Sequence, residues 1–585
     1  MISHAAVEPA MDTAWDVSIE MDDGIVLRAD VFRPAREGRF PVILSYGPYA
    51  KGLNFEEGYP DAWKRMLAQH PEVAVGSSGR YQAWEVADPD RWVPDGYVCV
   101  RVDARGWGRS PGYIDPYSRR STVDFRDCIE WAGVQPWSNG KVGLLGISYY
   151  AVTQWLVAGD QPAHLAAMIP WEGVSDFYRD NFYHGGIFCQ ACDVWYRRTT
   201  TTVQHGLGER AKRNRNTGEL IAGPETLSDE ALAANRSDYP RELRAHSLVD
   251  EFHRIRSAQW DRIVVPFLSA GNWGGVGRHL RGNVEGFVRA ASAQKWLEIH
   301  GKEHWTEFYT DYGVGLQKRF FDHFLKGIDN GWQEQPRVML RVRTVEGTFL
   351  DRTENEWPLA RTRWTRLYLD PERNALSTQA LAHAGQRSFA AFGSAGITFS
   401  TPPLPEQTEI TGPVAAKLFV SSSTSDADLF LVLRVFRPDG TEVVLQGAVD
   451  PHTPVSQGWL RASHRKLDTG LATEYRPYHT HDEVQPLVPG EIYALDIEIW
   501  PTSLIVPAGY RIALSVRGTD YEYEDSREAA ELSFFKGSKM RGVGIYTHAD
   551  PGNRPPETFG GTTTIHAGGA FAACLLLPLI PGKAS

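Results

Sequence analysis

Ser138-Asn139-Gly140-Lys141-Val142-Gly143-Leu144-Leu145-Gly146-Ile147-Ser148-Tyr149-Tyr150-Ala151 passes from a polar turn through a short apolar run into a helix-forming stretch, with a serine at the junction. A serine on so sharp a strand-to-helix turn needs small neighbours. The turn leaves Oγ at the head of the helix and aims the next backbone N–H at a developing oxyanion. Gly146 meets the requirement on the upstream side. Two residues after the serine the generic G-x-S-x-G pattern asks for glycine, and Tyr150 stands there instead.

Outward from this stretch, further short apolar runs recur: Pro41 to Tyr46, Tyr97 to Val102, Leu165 to Ile169, Val264 to Ser269 and Trp296 to His300. Helix-capable segments separate most of them, a pattern that predicts a parallel sheet covered on both faces. Before them, Val17, Ile19, Ile25, Leu27, Ala29 and Val31 alternate with period two around Asp22-Asp23-Gly24, which predicts a hairpin. An interruption from about Asp176 to Trp260 is first aromatic and then polar and helix-prone, as an inserted cap would be. After Gly327 the texture turns β-rich, with strands expected at Val414–Val420, Leu429–Phe436, Tyr493–Ile499 and Arg511–Val516; an all-β sandwich of jelly-roll type fits best.

The bulk numbers fit this division. A chain of 585 residues exceeds the roughly 250–300 that one core sustains, so several domains are expected. Its 42% hydrophobic and 23% charged residues are ordinary for a globular protein. With 61 basic against 72 acidic residues, and no basic run, nucleic acid is not an expected partner. Neither a secretory leader nor an apolar run of membrane-spanning length is evident, so a cytoplasmic location without membrane association is expected. Five cysteines make no disulfide framework; Cys189 and Cys192 form an isolated C-x-x-C, read as core thiols near an aromatic cluster rather than metal ligands.

Several segments, taken in order, resemble one family. Gly146-Ile147-Ser148-Tyr149-Tyr150-Ala151 is similar to the nucleophile elbow of the CocE/NonD hydrolases (cocaine-esterase-like) and the related X-Pro dipeptidyl-peptidases. Phe40 to Leu44 with Gly47-Pro48-Tyr49-Ala50-Lys51, Val102-Asp103-Ala104-Arg105-Gly106, and Asp127 to Trp131 with Gln135 to Gly140 resemble further family stretches. So do Phe320 to Gly327, Ile410 to Val414, Asp426 to Leu429 and Pro438-Asp439-Gly440. The resemblance implies an α/β-hydrolase fold with an inserted helical cap and a C-terminal all-β jelly-roll domain. The expected segments are 1–175 and 261–345 for the hydrolase, 176–260 for the cap and 346–585 for the jelly roll.

By the same resemblance Ser148 is the nucleophile, and Tyr49 supplies one half of an oxyanion hole whose other half is the Tyr149 backbone N–H. His304, just past the last expected sheet strand, falls where this fold places its general base. His300, at the strand end, is the competitor. In the family an Asp follows the Gly-x-Trp motif, but here the stretch reads Gly271-Asn272-Trp273-Gly274-Gly275-Val276-Gly277 and holds no carboxylate. A histidine base needs a group that fixes its tautomer. Glu172, in Pro170-Trp171-Glu172-Gly173, occupies the alternative acid position of the fold and is the expected third member; Glu285, Asp176 and Glu303 are the other candidates.

Two segments are read as decoys. His184-Gly185-Gly186 resembles a lipase oxyanion motif but follows the nucleophile, so it is expected to be a cap turn. The Gly271–Gly277 loop lacks phosphate-binding spacing. The expected activity is hydrolysis of a carboxylic ester or amide through an acyl-enzyme, without metal or organic cofactor, on a small substrate with an apolar or aromatic group. An X-Pro dipeptidyl-peptidase, an α-amino-acid ester hydrolase or acylase, and a non-catalytic binding protein with a decayed triad are the alternatives. A homo-oligomer is compatible with the sequence.

Overall fold

The computed structural model describes residues 11–393, 395–523 and 541–582. Strands β1 (Met11–Glu20) and β2 (Val26–Pro34) form the expected hairpin. They lead into β3 (Phe40–Gly47), β4 (Val98–Asp103), β5 (Ser138–Ile147), β6 (Leu165–Trp171), β7 (Phe267–Asn272) and β8 (Lys295–His300). Side by side the order is β1-β2-β4-β3-β5-β6-β7-β8, antiparallel up to β4 and parallel from there on. Its central strands are near-continuous apolar runs because both faces are covered. Helix α1 (Arg119–Gly133) is one cover, and α2 (Tyr149–Ala158), buried along its whole length, is another. The sheet is built from non-contiguous sequence, as expected, since 172–266 intervenes between β6 and β7.

That intervening stretch is less helical than its composition suggests. Its longest α-helix spans seven residues, Tyr239–Ala245, and a two-stranded ribbon pairs Tyr183–His184 with Ile187–Phe188. Gly206, Gly208, Gly218 and Gly223 all adopt positive φ, which stops helices from propagating between them.

The C-terminal half is β-rich, with an apolar core of its own. Thr408–Ser422 pairs antiparallel with Tyr493–Val506, while Asp428–Phe436 lies between Ser456–Arg461 and Arg511–Arg517. The expected strands lie within these longer ones. The two halves share one hydrogen-bonded sheet: β9 (Val338–Thr344) pairs parallel with β8 through Leu297–Ile299 and with the 493–506 strand through Arg343 and Thr344.

Candidate active site

The elbow holds Ser148 at φ 57°, ψ −113°, a conformation costing a non-glycine residue about 1–3 kcal/mol. The surroundings enforce it. Ser148 N–H donates to the carbonyls of Trp171 and Glu172, tying the turn to the end of β6. A Cβ on Gly146 would stand 2.5 Å from Tyr150 Cβ, and one on Gly173 would stand 2.5 Å from Ala151 Cβ. Tyr150 is tolerated where the generic motif wants glycine because its ring lies over Gly47, whose missing side chain leaves the space.

Asn272 and His300 end β7 and β8, Glu172 directly follows β6, and there the three meet. Glu172 Oε1 accepts from His300 Nε2 at 3.0 Å and from Asn272 Nδ2 at 3.1 Å; Oε2 accepts from His304 Nδ1 at 2.7 Å. All are buried. Burial works against the charge on Glu172, but the attraction of His304 and the hydrogen bond from His300 outweigh it, holding the carboxyl down to about 2. His300 also donates to Glu298 at 2.8 Å. Burial opposes its charge, and Glu298 and Glu172 overcome that and push it up to about 10. The other acid candidates are engaged elsewhere: Asp176 with Arg179, Glu285 with Arg476 and Glu303 with Arg65.

Two residues that sequence reasoning missed complete the cluster. Glu85 Oε1 lies 3.0 Å from His304 Nε2, and its Oε2 is buried with no partner. His279 Nε2 lies 3.3 Å from Ser148 Oγ, and its ring stacks on His304 with centroids 4.8 Å apart. Burial opposes charge on His304, but Glu172 and Glu85 hold it up at about 9. Burial, followed by the nearby His304 and Arg278, drives His279 well below the usual histidine range. Burial raises Glu85 above the ordinary carboxylate range, partly offset by His304.

Tyr49 lies on the same pocket as Ser148. Its oxygen accepts from Trp195 Nε1 at 3.3 Å, which leaves its own O–H free to donate. Burial and Glu85 keep the phenol protonated far above neutral pH. The Tyr149 N–H opens α2, where no intrahelical acceptor is available. The pocket, of about 410 Å³, is further lined by Trp84, Trp305, Arg278 and, from the C-terminal half, Val449, Ile545 and Tyr546.

The place where the family aspartate would stand is filled. A Cβ on Gly274 would lie 2.6 Å from the Ala448 nitrogen and the Gly447 Cα, because the loop around them hydrogen-bonds both to Gly274 and to the His304 N–H. Gly274→Asp is therefore expected to lower stability by about 1–3 kcal/mol, read as a reduced midpoint in urea, rather than to improve catalysis. An unchanged midpoint would show that the loop yields freely.

Among the described residues, two groups bring possible metal-ligand atoms within 4.8 Å of one another: Glu172, His279 and His304, and separately His184, Cys189 and His548. In the first, Glu172 and His304 are already bound to each other. In the second, His184 Nδ1 lies 2.8 Å from His548 Nε2, and His548 Nδ1 donates to Asp520 at 2.7 Å. Burial pushes the Cys189 thiol up to about 12, and Cys189 and Cys192 are free and buried among aromatic rings. His184-Gly185-Gly186 is a turn against the 456–461 strand, and the Gly185 carbonyl accepts from the Arg461 N–H.

Residues 23–306 match the profile of the X-Pro dipeptidyl-peptidase (S15) family, and 330–570 that of the X-Pro dipeptidyl-peptidase C-terminal non-catalytic domain. A CocE/NonD family hydrolase from Staphylococcus aureus superposes with a TM-score of 0.82 at 30% identity, covering 97% of this chain and 94% of that one. A putative serine esterase from Mycobacterium bovis is 25% identical, over 86% of this chain and 90% of its own length. The cocaine esterase of a Rhodococcus species is also 25% identical, over 89% and 93%. Fold and relatives together define a serine hydrolase, an α/β-hydrolase domain followed by a C-terminal domain. The chain belongs to the CocE/NonD hydrolase family.

Proposed function

We propose that Ser148 attacks the carbonyl carbon of an ester or amide while His304, oriented by Glu172, takes its proton. The observation that carries this is the 2.7 Å contact between His304 Nδ1 and Glu172 Oε2, which orients the imidazole as a triad acid does. In the resting site Ser148 Oγ is hydrogen-bonded to His279 and His304 Nε2 to Glu85, so the reading requires His304 to exchange Glu85 for Ser148 when substrate binds. His279, whose Nε2 lies 3.3 Å from Oγ, acts as a positioning residue that holds the hydroxyl in the resting site. Tyr49 and the Tyr149 N–H stabilise the oxyanion, a role in which each donor contributes about 3 kcal/mol. Water then cleaves the acyl-enzyme. The aromatic lining of Trp84, Trp195, Trp305 and Tyr546 supports an apolar or aromatic group on the substrate. Segments 1–175 and 261–345 are taken as the hydrolase domain, 176–260 as its cap and 346–585 as a jelly roll, which the antiparallel pairings of the C-terminal half support.

The test is labelling by a fluorophosphonate probe, with peptide mapping. Label on Ser148, absent from Ser148→Ala, is the expected result; an intact, folded protein that stays unlabelled would falsify the reading. The X-Pro dipeptidyl-peptidase alternative is favoured by the match to that family's profile and is read in parallel with an X-Pro anilide.

His304 must be neutral to accept a proton, so its elevation sets the pH dependence. kcat/KM is expected to rise with pH toward about 9. In Glu85→Gln, one of the two carboxylates that sustain the proton is gone, and the midpoint should move to lower pH. A profile unmoved by that substitution removes Glu85 from the account.

A further inference from the structure

Arg278 sits in the loop after β7, one residue before His279, and its side chain lines the pocket that contains Ser148. It is 94% buried, being 6% exposed. Several other buried arginines among the described residues are neutralised or capped. Arg281 pairs with Asp180 and Glu498, Arg461 and Arg554 share Asp428, and Arg101 donates to the carbonyls of Tyr81 and Ala87. Among the described residues Arg278 has no carboxylate within ion-pair distance and no backbone carbonyl accepting from its guanidinium. Its neighbours are phenols, Tyr117 foremost and then Tyr546, Tyr49 and Tyr239, with the Phe182 ring 6.0 Å away. The acid that feels its charge is Glu85, and Glu85 is engaged with His304.

A guanidinium taken out of water without a counter-charge is costly, and the cost is removed when an anion reaches it. Here the side chain opens onto the substrate pocket. We propose that Arg278 is the anchor of a subsite for a carboxylate on the substrate, an inference that rests on Ser148 being the nucleophile of this pocket. The planar fork of donors matches a carboxylate bidentately, and Tyr117, Tyr239 and Tyr546 beside it provide both apolar walls and hydroxyl donors for its oxygens. Such a group would be fixed within the same pocket as the reacting carbonyl. The enzyme would thus act on monoanionic esters or amides, such as half-esters of dicarboxylic acids or esters of hydroxybenzoates, in preference to neutral ones.

The test compares two matched pairs. On the acyl side, p-nitrophenyl hemiglutarate is set against p-nitrophenyl 5-methylhexanoate, in which a branched methyl pair replaces the carboxylate. On the leaving-group side, 4-carboxyphenyl butyrate is set against 4-carbamoylphenyl butyrate. The expected result is an advantage of about 10- to 100-fold in kcat/KM for the anion in at least one pair, the range of a hydrogen bond to a charged group. That ratio should collapse toward one in Arg278→Met and be partly kept in Arg278→Lys, which retains the charge without the fork. Calorimetric binding of the same pairs to Ser148→Ala, with and without Arg278→Met, reads the subsite without turnover.

A ratio near one in both pairs, in turnover and in binding, overturns the subsite, as does a ratio that survives Arg278→Met. Fluorophosphonate labelling of Ser148 separates the two levels. If the serine labels but no anion preference exists, only the subsite fails. If the serine does not label, the hydrolase reading fails, and the calorimetry still decides whether Arg278 binds carboxylates.

Discussion

Glu172→Gln is expected to lower kcat on a p-nitrophenyl ester by about 10⁴-fold, with the fold intact. The amide can still accept from one histidine, but it no longer carries the charge that stabilises an imidazolium, and its NH₂ end cannot accept the His304 Nδ1 proton. The wrong tautomer then faces the serine. Because Glu172 also balances His300, the variant's melting temperature and far-UV circular dichroism must be measured beside its kinetics. Glu172→Asp, which keeps the charge on a shorter arm, should recover part of the rate. Full turnover by a correctly folded Glu172→Gln protein would leave the pairing with His304 as structure only.

The two imidazoles next to Ser148 make the second large prediction. His304→Ala is expected to cost about 10⁴-fold or more in kcat, because the base and its link to Glu172 disappear together. His279→Ala removes the contact at 3.3 Å from Oγ, and a positioning loss of that kind costs about 10²-fold. The pH profile separates the roles. Loss of His279 should keep the rise toward about 9, whereas loss of His304 should abolish it. If His279→Ala is the more damaging change and the rise persists in His304→Ala, the proton goes to His279 and the assignment reverses.

Periodicity carried most of the hydrolase sheet. Runs such as Val98–Asp103 and Leu165–Trp171 are apolar on both faces because helices cover both, and they announce themselves without tertiary information. The elbow was legible for a similar reason, since Gly146 and Ser148 sit at a strand end. Strand β7 was displaced by three residues, beginning at Phe267 rather than Val264, because Pro266 interrupts an apolar run that continues on either side. The site was only partly visible. His304 and Glu172 follow strands and could be placed by topology. Glu85 lies in a stretch with no motif, and only the folded chain brings its carboxylate to His304. His279 stands just beyond the glycine-rich loop. Its neighbouring glycines gave no sign that the next side chains, Arg278 included, turn toward Ser148. The wall made by Val449, Ile545 and Tyr546 was beyond reach, because nothing local marks a residue some 300 to 400 positions away as a neighbour of the nucleophile.

The loop at Gly447 and Ala448 also constrains sequence. Where it runs, an aspartate at position 274 would collide with peptide backbone. The C-terminal half thus limits what the catalytic half can carry at that position, and a chimera that joins a hydrolase half bearing a carboxylate there to this C-terminal half should be less stable than either parent.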